Sequence, residues 1–199
     1  QVWTRFGEGF KATLIAAALA IICSLLVGTA LAILRVQLKA VMRRRFEQFG
    51  NAGMALRALV LVLNTITRFC VEVFRGIPVV ITIFFVWVGL SNVGAGDITV
   101  PLIGIEIPSL LYSLVIGLTI YNSVVIGEIL RSGMEGLPPG QREAADALGL
   151  STFSTLRLVL LPQAYRIMLP ALISQLVVVL KDTSLGFIIT YEEILRIAG

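Results

Sequence analysis

Lys181 and Asp182 stand side by side inside an apolar segment, between VVVL and TSL. Adjacent ionisable residues are costly in hydrocarbon, so they must face a partner, a water-filled cavity or a ligand. A neighbouring cation and carboxylate complement a zwitterion, Lys181 meeting an α-carboxylate and Asp182 an α-ammonium. Backbone groups freed near Thr183, Ser184 and Leu185 would add hydrogen bonds to the same ligand. The competing reading is a structural pair at the outer interface, with the lysine snorkelling toward water. Asn122, in another apolar run, is a weaker candidate, because such an amide more often bridges two helices than binds a ligand. Arg75, Glu128 and Arg131 read first as members of structural or gating ion pairs near the inner surface.

Other chemistries are disfavoured. The chain has no histidine, which removes the usual zinc ligand and the commonest general base. Cys23 and Cys70 lie far apart without CxxC spacing, so they suggest packing and neither a disulfide framework nor a metal site. No nucleophile and base pair is evident, and no catalytic or metal-binding residue is assigned.

Positioning falls to a membrane scaffold. Of 199 residues, 57% are hydrophobic and 14% charged, well under the quarter or so charged in soluble domains. The net charge of +4 reads as the positive bias of cytoplasmic loops and not as a nucleic-acid footprint. Residues 13–34 form 22 uncharged positions, about 33 Å of helix and enough to span. They read as a true span, since no signal-peptide pattern precedes them. Residues 35–57 carry six basic residues, which places a long loop in the cytoplasm and the N-terminus outside. The expectation continues with an entering helix over 57–74, a bend at Gly76 and Pro78, and a second span over 77–90. Residues 91–109 suit a short outer loop, where ITVPLIGIEI could pair as a hairpin. A third span covers 110–126 and extends to about 129. The run over 167–180 leads into Lys181, and the final apolar run starting at Leu185 is expected to continue past residue 199.

Between the last two spans lies GQREAADALGLSTFSTLRLVLLP, residues 140–162. Pro138, Pro139 and Gly140 break the preceding structure, Gln141 to Leu148 favour helix, and Gly149 is placed to end it. Ser151 is placed to cap a second helix, with Phe153, Leu156 and Leu160 on one face until Pro162 stops it. Two short helices joined by a glycine turn make a stiff cytoplasmic protrusion.

Glu143-Ala144-Ala145, three residues, Gly149, nine residues, Val159, one residue and Leu161-Pro162 resemble the coupling-loop motif of ATP-binding cassette importer permeases, with Val159 where isoleucine is usual. Phe74-Arg75-Gly76-Ile77-Pro78 is similar to the FRGTP segment of the polar amino-acid uptake branch. Glu128-Ile129-Leu130-Arg131-Ser132-Gly133 follows its E-I-x-R-G-G pattern except at Ser132, and residues 181–185 match its KDTSL segment. The resemblance implies an all-α polytopic membrane bundle of about five transmembrane helices in a single domain, with the coupling loop over 138–166. It implies that Gln141, Arg142, Glu143, Ala144, Ala145 and Gly149 contact a cytoplasmic ATPase, and that Lys181, Asp182, Thr183, Ser184, Leu185 and Asn122 contact the substrate. The chain has no GxxxxGK[ST] loop, so ATP and Mg would belong to partner ATPase subunits. A second permease subunit, an extracellular or periplasmic binding protein and the bilayer of a bacterial cell membrane complete the expected partners, and glutamate is the favoured polar amino acid. The rival is a stand-alone ion-coupled secondary transporter, which would leave the hairpin without a role.

Overall fold

The structure is a computed structural model that describes residues 2–42, 50–100 and 105–185. Helix α1, Val2–Met42, continues the first apolar run through Arg35 and Lys39. Helix α2 begins at Gly50 and runs to Gly76. The expected long loop over 35–57 is therefore helical in residues 35–42 and 50–57, and only 43–49 lie outside the described residues. Arginine and lysine are good helix formers, and their four-residue spacing keeps Arg35 and Lys39 on one face, so charge alone did not end the helix.

The bend at Gly76 and Pro78 is present. Helix α2 ends at Gly76, and Pro78 caps α3, Val79–Asn92, its carbonyl accepting from the amides of Ile81 and Thr82. The apportioning differs from the sequence expectation. Gly53–Gly76 is long and apolar enough to cross a membrane, whereas α3 has 14 residues, about 21 Å. Two short strands follow, β1 (Ile98–Val100) and β2 (Ile105–Ile107), antiparallel with Ile98 opposite Ile107. This is the hairpin expected in ITVPLIGIEI. Asp97 Oδ1 accepts from the Ser109 amide, and the Tyr112 hydroxyl donates to the carbonyls of Ala95 and Gly96. These bonds tie the loop to the first turn of α4, Ser109–Glu135.

The hairpin segment comprises α5 (Pro139–Ala147), α6 (Thr152–Thr155) and a π turn (Leu156–Leu160), which opens into α7, Leu161–Asp182. Pro162 therefore sits in the first turn of a continuing helix and does not stop one. A proline in a helix leaves a carbonyl without its amide partner, and the widened π register ahead of it accommodates that loss. A 3₁₀ turn, Thr183–Leu185, closes the described chain. The expected run past Leu185 lies outside the described residues. Among the described residues, four helices are long and apolar enough to span: Thr13–Met42, Gly53–Gly76, Ser109–Glu135 and Thr152–Leu185, with α3 as a fifth, shorter apolar helix. The chain is a multi-pass membrane protein with an all-α bundle.

The chain divides into two compact units. One contains Gln1–Leu26, Ile77–Ser123 and Ser174–Gly199. Its core gathers Ala16 and Ala20 of α1, Ile83 of α3, Leu114 and Leu118 of α4, and Val179 of α7. Close packing here depends on Gly117, since a Cβ at that position would lie 2.8 Å from the Ile83 Cα. The second unit contains Val27–Gly76 and Val124–Ile173. Within it Gly127 of α4 meets Gly28 of α1, whose carbonyl oxygen would be 3.1 Å from a Cβ at residue 127. Gly28 and Ala32 are buried at this contact, whereas Ala30 is exposed. Small residues of this kind let backbones approach in hydrocarbon, where apolar side chains gain nothing by leaving lipid. Many large apolar side chains accordingly point outward, among them Leu26, Phe69 and Phe85.

Candidate functional site

Three groups of residues occupy separate places, and each lies within one of the two units. Lys181 and Asp182 form the end of α7, with Asp182 buried and Lys181 exposed, so the adjacent charges do not share one face. The Thr183 hydroxyl donates to the Leu180 carbonyl and the Ser184 hydroxyl to the Lys181 carbonyl, both at 2.6 Å. The carbonyls of Leu180 and Lys181 are thus engaged by side chains three residues on. Thr183 is buried, Ser184 is exposed, and Leu185 packs against the core around Val179.

Asn122 is fully buried on α4. Its Nδ2 donates to the Leu118 carbonyl at 2.8 Å, and its Oδ1 accepts from Gln175 Nε2 at 2.7 Å. The amide therefore bridges α4 and α7, a direct contact that costs little only because both polar groups satisfy each other. Gln175 was not among the expected residues. Its signal is a polar residue seven before Asp182, which places both on the same face of α7, about 10 Å apart along the axis. Leu172 and Val179, both buried, complete that stripe.

In the other unit, α1 and α4 are joined by a ladder of charges. Arg35 pairs with Glu128, and the Arg131 guanidinium reaches both carboxylate oxygens of Glu128 at 3.0–3.2 Å. Arg131 also meets Glu135 at 2.8 Å, and Glu135 accepts from Lys39 Nζ at 3.0 Å. Side chains of Arg35 and Glu128 are each 14% exposed, so this end of the ladder is the less screened. Spacings of three and four on α4, and of four on α1, place every member on facing surfaces. Arg35, Lys39 and Glu135 were read only as loop charge or not singled out, and the i, i+4 spacing is the signal for them. Arg75 is not a rung of this ladder. It is exposed at the end of α2, and among the described residues no ion pair reaches it.

The hairpin belongs to the same unit. At the end of α5 the Gly149 amide donates to Asp146 and the Leu150 amide to Ala145, with Gly149 at φ +72°. This is a Schellman closure, and its left-handed residue favours glycine. The Ser151 hydroxyl then accepts from the Ser154 amide at 3.1 Å and caps α6. Ala145 is buried, while Gln141, Glu143, Ala144 and Gly149 are exposed and Arg142 is half-buried. Phe153 is half exposed and does not share the buried face, which Thr155, Leu156 and Leu160 form. Gln163 Nε2 donates to Gln141 Oε1 and to the Val159 carbonyl, both at 3.0 Å, fastening α5 to the start of α7. Gln163 was also missed; no periodicity marks it. Arg142 and Asp146 line a cavity of about 390 Å³ with Val36 and Lys39 of α1. Cys70 is exposed on α2, so it does not pack within this chain, and Cys23 is half-buried.

The chain matches, over residues 52–194, the family described as "Binding-protein-dependent transport system inner membrane component". It is 37% identical over 197 residues to the glutamate transport system permease protein GluD of Corynebacterium glutamicum, covering 98% of this chain and 62% of that protein. It is also 37% identical over 149 residues to the probable glutamine ABC transporter permease protein GlnP of Bacillus subtilis, covering 74% of this chain and 63% of that one. A solved structure described as an amino acid ABC transporter with histidines superposes with a TM-score of 0.61 at 26% identity, over 89% of this chain and 68% of that chain. The chain therefore spans a little over three fifths of the length of the two curated relatives.

Proposed function

The chain belongs to the family of binding-protein-dependent transport system inner membrane components, and on that premise we propose that it is a transmembrane subunit of an ATP-driven amino-acid importer in a bacterial inner membrane. The hairpin carries this reading. It presents exposed Glu143 and Ala144, with Leu148 80% exposed, on a short handle whose turn is closed by Gly149 and whose base is fastened by Gln163. A cytoplasmic ATPase that binds and hydrolyses ATP with Mg would close on this handle and move the helices. A second permease subunit would complete the path, and an extracellular or periplasmic binding protein would deliver the substrate. The basic end of α1 and the arginines that follow α4, Arg142, Arg157 and Arg166, face the cytoplasm by the positive-inside rule, which leaves the N-terminus outside.

The substrate is a polar amino acid, with Lys181, Asp182, Thr183, Ser184, Leu185 and Asn122 as its candidate contacts and Gln175 beside Asn122. Glutamate is the favoured choice, supported by the name of the similar Corynebacterium permease. Glu143→Lys tests the docking element. In the reconstituted complex it is expected to abolish substrate-stimulated ATP hydrolysis while the chain remains folded and inserted; undiminished stimulation would refute the role of the hairpin.

A further inference from the structure

Beside the charge ladder, a cavity of about 400 Å³ opens between α1, α2 and α4, and neither the hairpin nor the substrate candidates use it. Five cations and three carboxylates line it. Every carboxylate is already engaged: Glu128 by Arg35 and Arg131, Glu135 by Arg131 and Lys39, and Glu72 by Arg68 at 2.9 Å. The lining thus keeps an excess of two positive charges after its internal pairing. Arg75, on the last turn of α2, faces this space with no carboxylate partner among the described residues. Arg68 is only loosely committed, since its pair with Glu72 is 69% and 61% exposed and such pairs hold weakly.

The surroundings narrow the ligand. Helix α2 also carries exposed Phe69 and Phe74, each next to one of these arginines in sequence, so the same helix segment offers both apolar and cationic groups. The volume is within the range of small-molecule sites, and guanidinium groups favour phosphate through charge and paired donors. We propose that this cavity binds a phosphate-bearing anion, either the headgroup of an anionic lipid or free phosphate, with Arg75 and Arg68 as its ligands. The ladder would then hold α1 and α4 apart from the ligand's charge, its own carboxylates neutralised. This assignment rests on the cavity and is independent of the transport reading.

Native mass spectrometry of the detergent-solubilised full chain tests it, with short-chain phosphatidylglycerol, phosphatidylcholine or inorganic phosphate added. Phosphatidylglycerol is expected to be retained in preference to phosphatidylcholine, and retention is expected to fall with salt. Arg75→Ala should weaken it about fivefold, and Arg68→Ala with Arg75→Ala by roughly twentyfold or more. Arg75→Lys should keep most of the binding, and Arg57→Ala, on α2 but outside the cavity lining, should leave it unchanged. Displacement of the lipid by inorganic phosphate would identify free phosphate as a source; retention against inorganic phosphate would identify the headgroup. Equal retention of the two lipids without phosphate binding, or equal losses in the Arg57 and Arg75 variants, would overturn the assignment.

Discussion

Gly117→Ala is expected to loosen the unit around Ile83, whereas the same substitution at Gly133 is expected to be nearly silent. At Gly117 the added Cβ would lie 2.8 Å from the Ile83 Cα and 3.0 Å from its Cγ1. Carbon atoms rest at about 3.5–4.0 Å, so α3 and α4 must part, and no side-chain rotation relieves a contact with backbone. At Gly133 the added Cβ would be closer still, 2.6 Å, but to the Met168 Cγ, with Ala164 Cβ next at 3.3 Å. A methionine can move its flexible chain aside. Overpacking costs about 1–3 kcal/mol, and exchanging glycine for alanine in a helix returns about 1 kcal/mol. Gly117 falls at the upper end of that cost and Gly133 at the lower, a net loss of about 2 kcal/mol against about zero. For a chain of this size the former corresponds to an apparent midpoint shift of roughly 4–8 °C. The assay is the monodisperse fraction remaining after heating the detergent-solubilised variants side by side. A Gly117 variant as stable as the parent, or a Gly133 variant more damaged than it, would refute the reasoning.

Glu128→Gln should leave Arg35 and Arg131 short of a partner and cost about 2 kcal/mol, less than for a fully buried pair because Arg131 retains Glu135. Adding Arg35→Gln should recover part of that loss, and a double-mutant cycle in thermal stability that shows no coupling would remove Arg35 from the ladder. Asp182→Ala should impair amino-acid uptake by the reconstituted complex without loss of ATPase assembly, and Lys181→Ala, at an exposed position, should do so less. Normal uptake kinetics in both variants would return the pair to a structural role.

The hairpin was legible because its signals are local. Glycine at a left-handed closure, serine at a cap and a run of helix formers each act within a few residues, and they set Gly149 and Ser151 where they were expected. The bend at Gly76 and Pro78 was legible for the same reason, since a proline restricts its own backbone and that of the preceding residue. The charge ladder was not. Arg35 and Lys39 read as loop residues because charge ordinarily marks the end of a span, whereas a carboxylate on another helix makes charge tolerable within one. That compensation depends on Glu128 and Glu135, more than ninety residues away in sequence, and no local pattern announces it. Pro162 failed as a stop signal because a proline in the first turn of a helix lacks only an amide that the π turn ahead of it leaves unneeded.

Helix α4 shows how these contacts divide the work. It is the most enclosed of the four candidate spans, and it meets its neighbours through close approach, a hydrogen bond and ion pairs. Gly117 admits α3 and Gly127 admits α1 by close approach, Asn122 bonds to Gln175 of α7, and Glu128 and Glu135 pair with Arg35 and Lys39 of α1, with Arg131 between the two carboxylates on α4. Hydrogen bonds and ion pairs lock register, which lipid-facing apolar contacts alone would leave free to slide. The hairpin begins four residues after Glu135, and its far end returns through the π turn into α7, where Gln163 holds Gln141. Under the proposed coupling role, a force applied to the hairpin would enter the chain at its two ends, α4 and α7. In that reading the Gln163–Gln141 bond, which ties α5 to the start of α7, would keep the hairpin from absorbing the motion that it transmits.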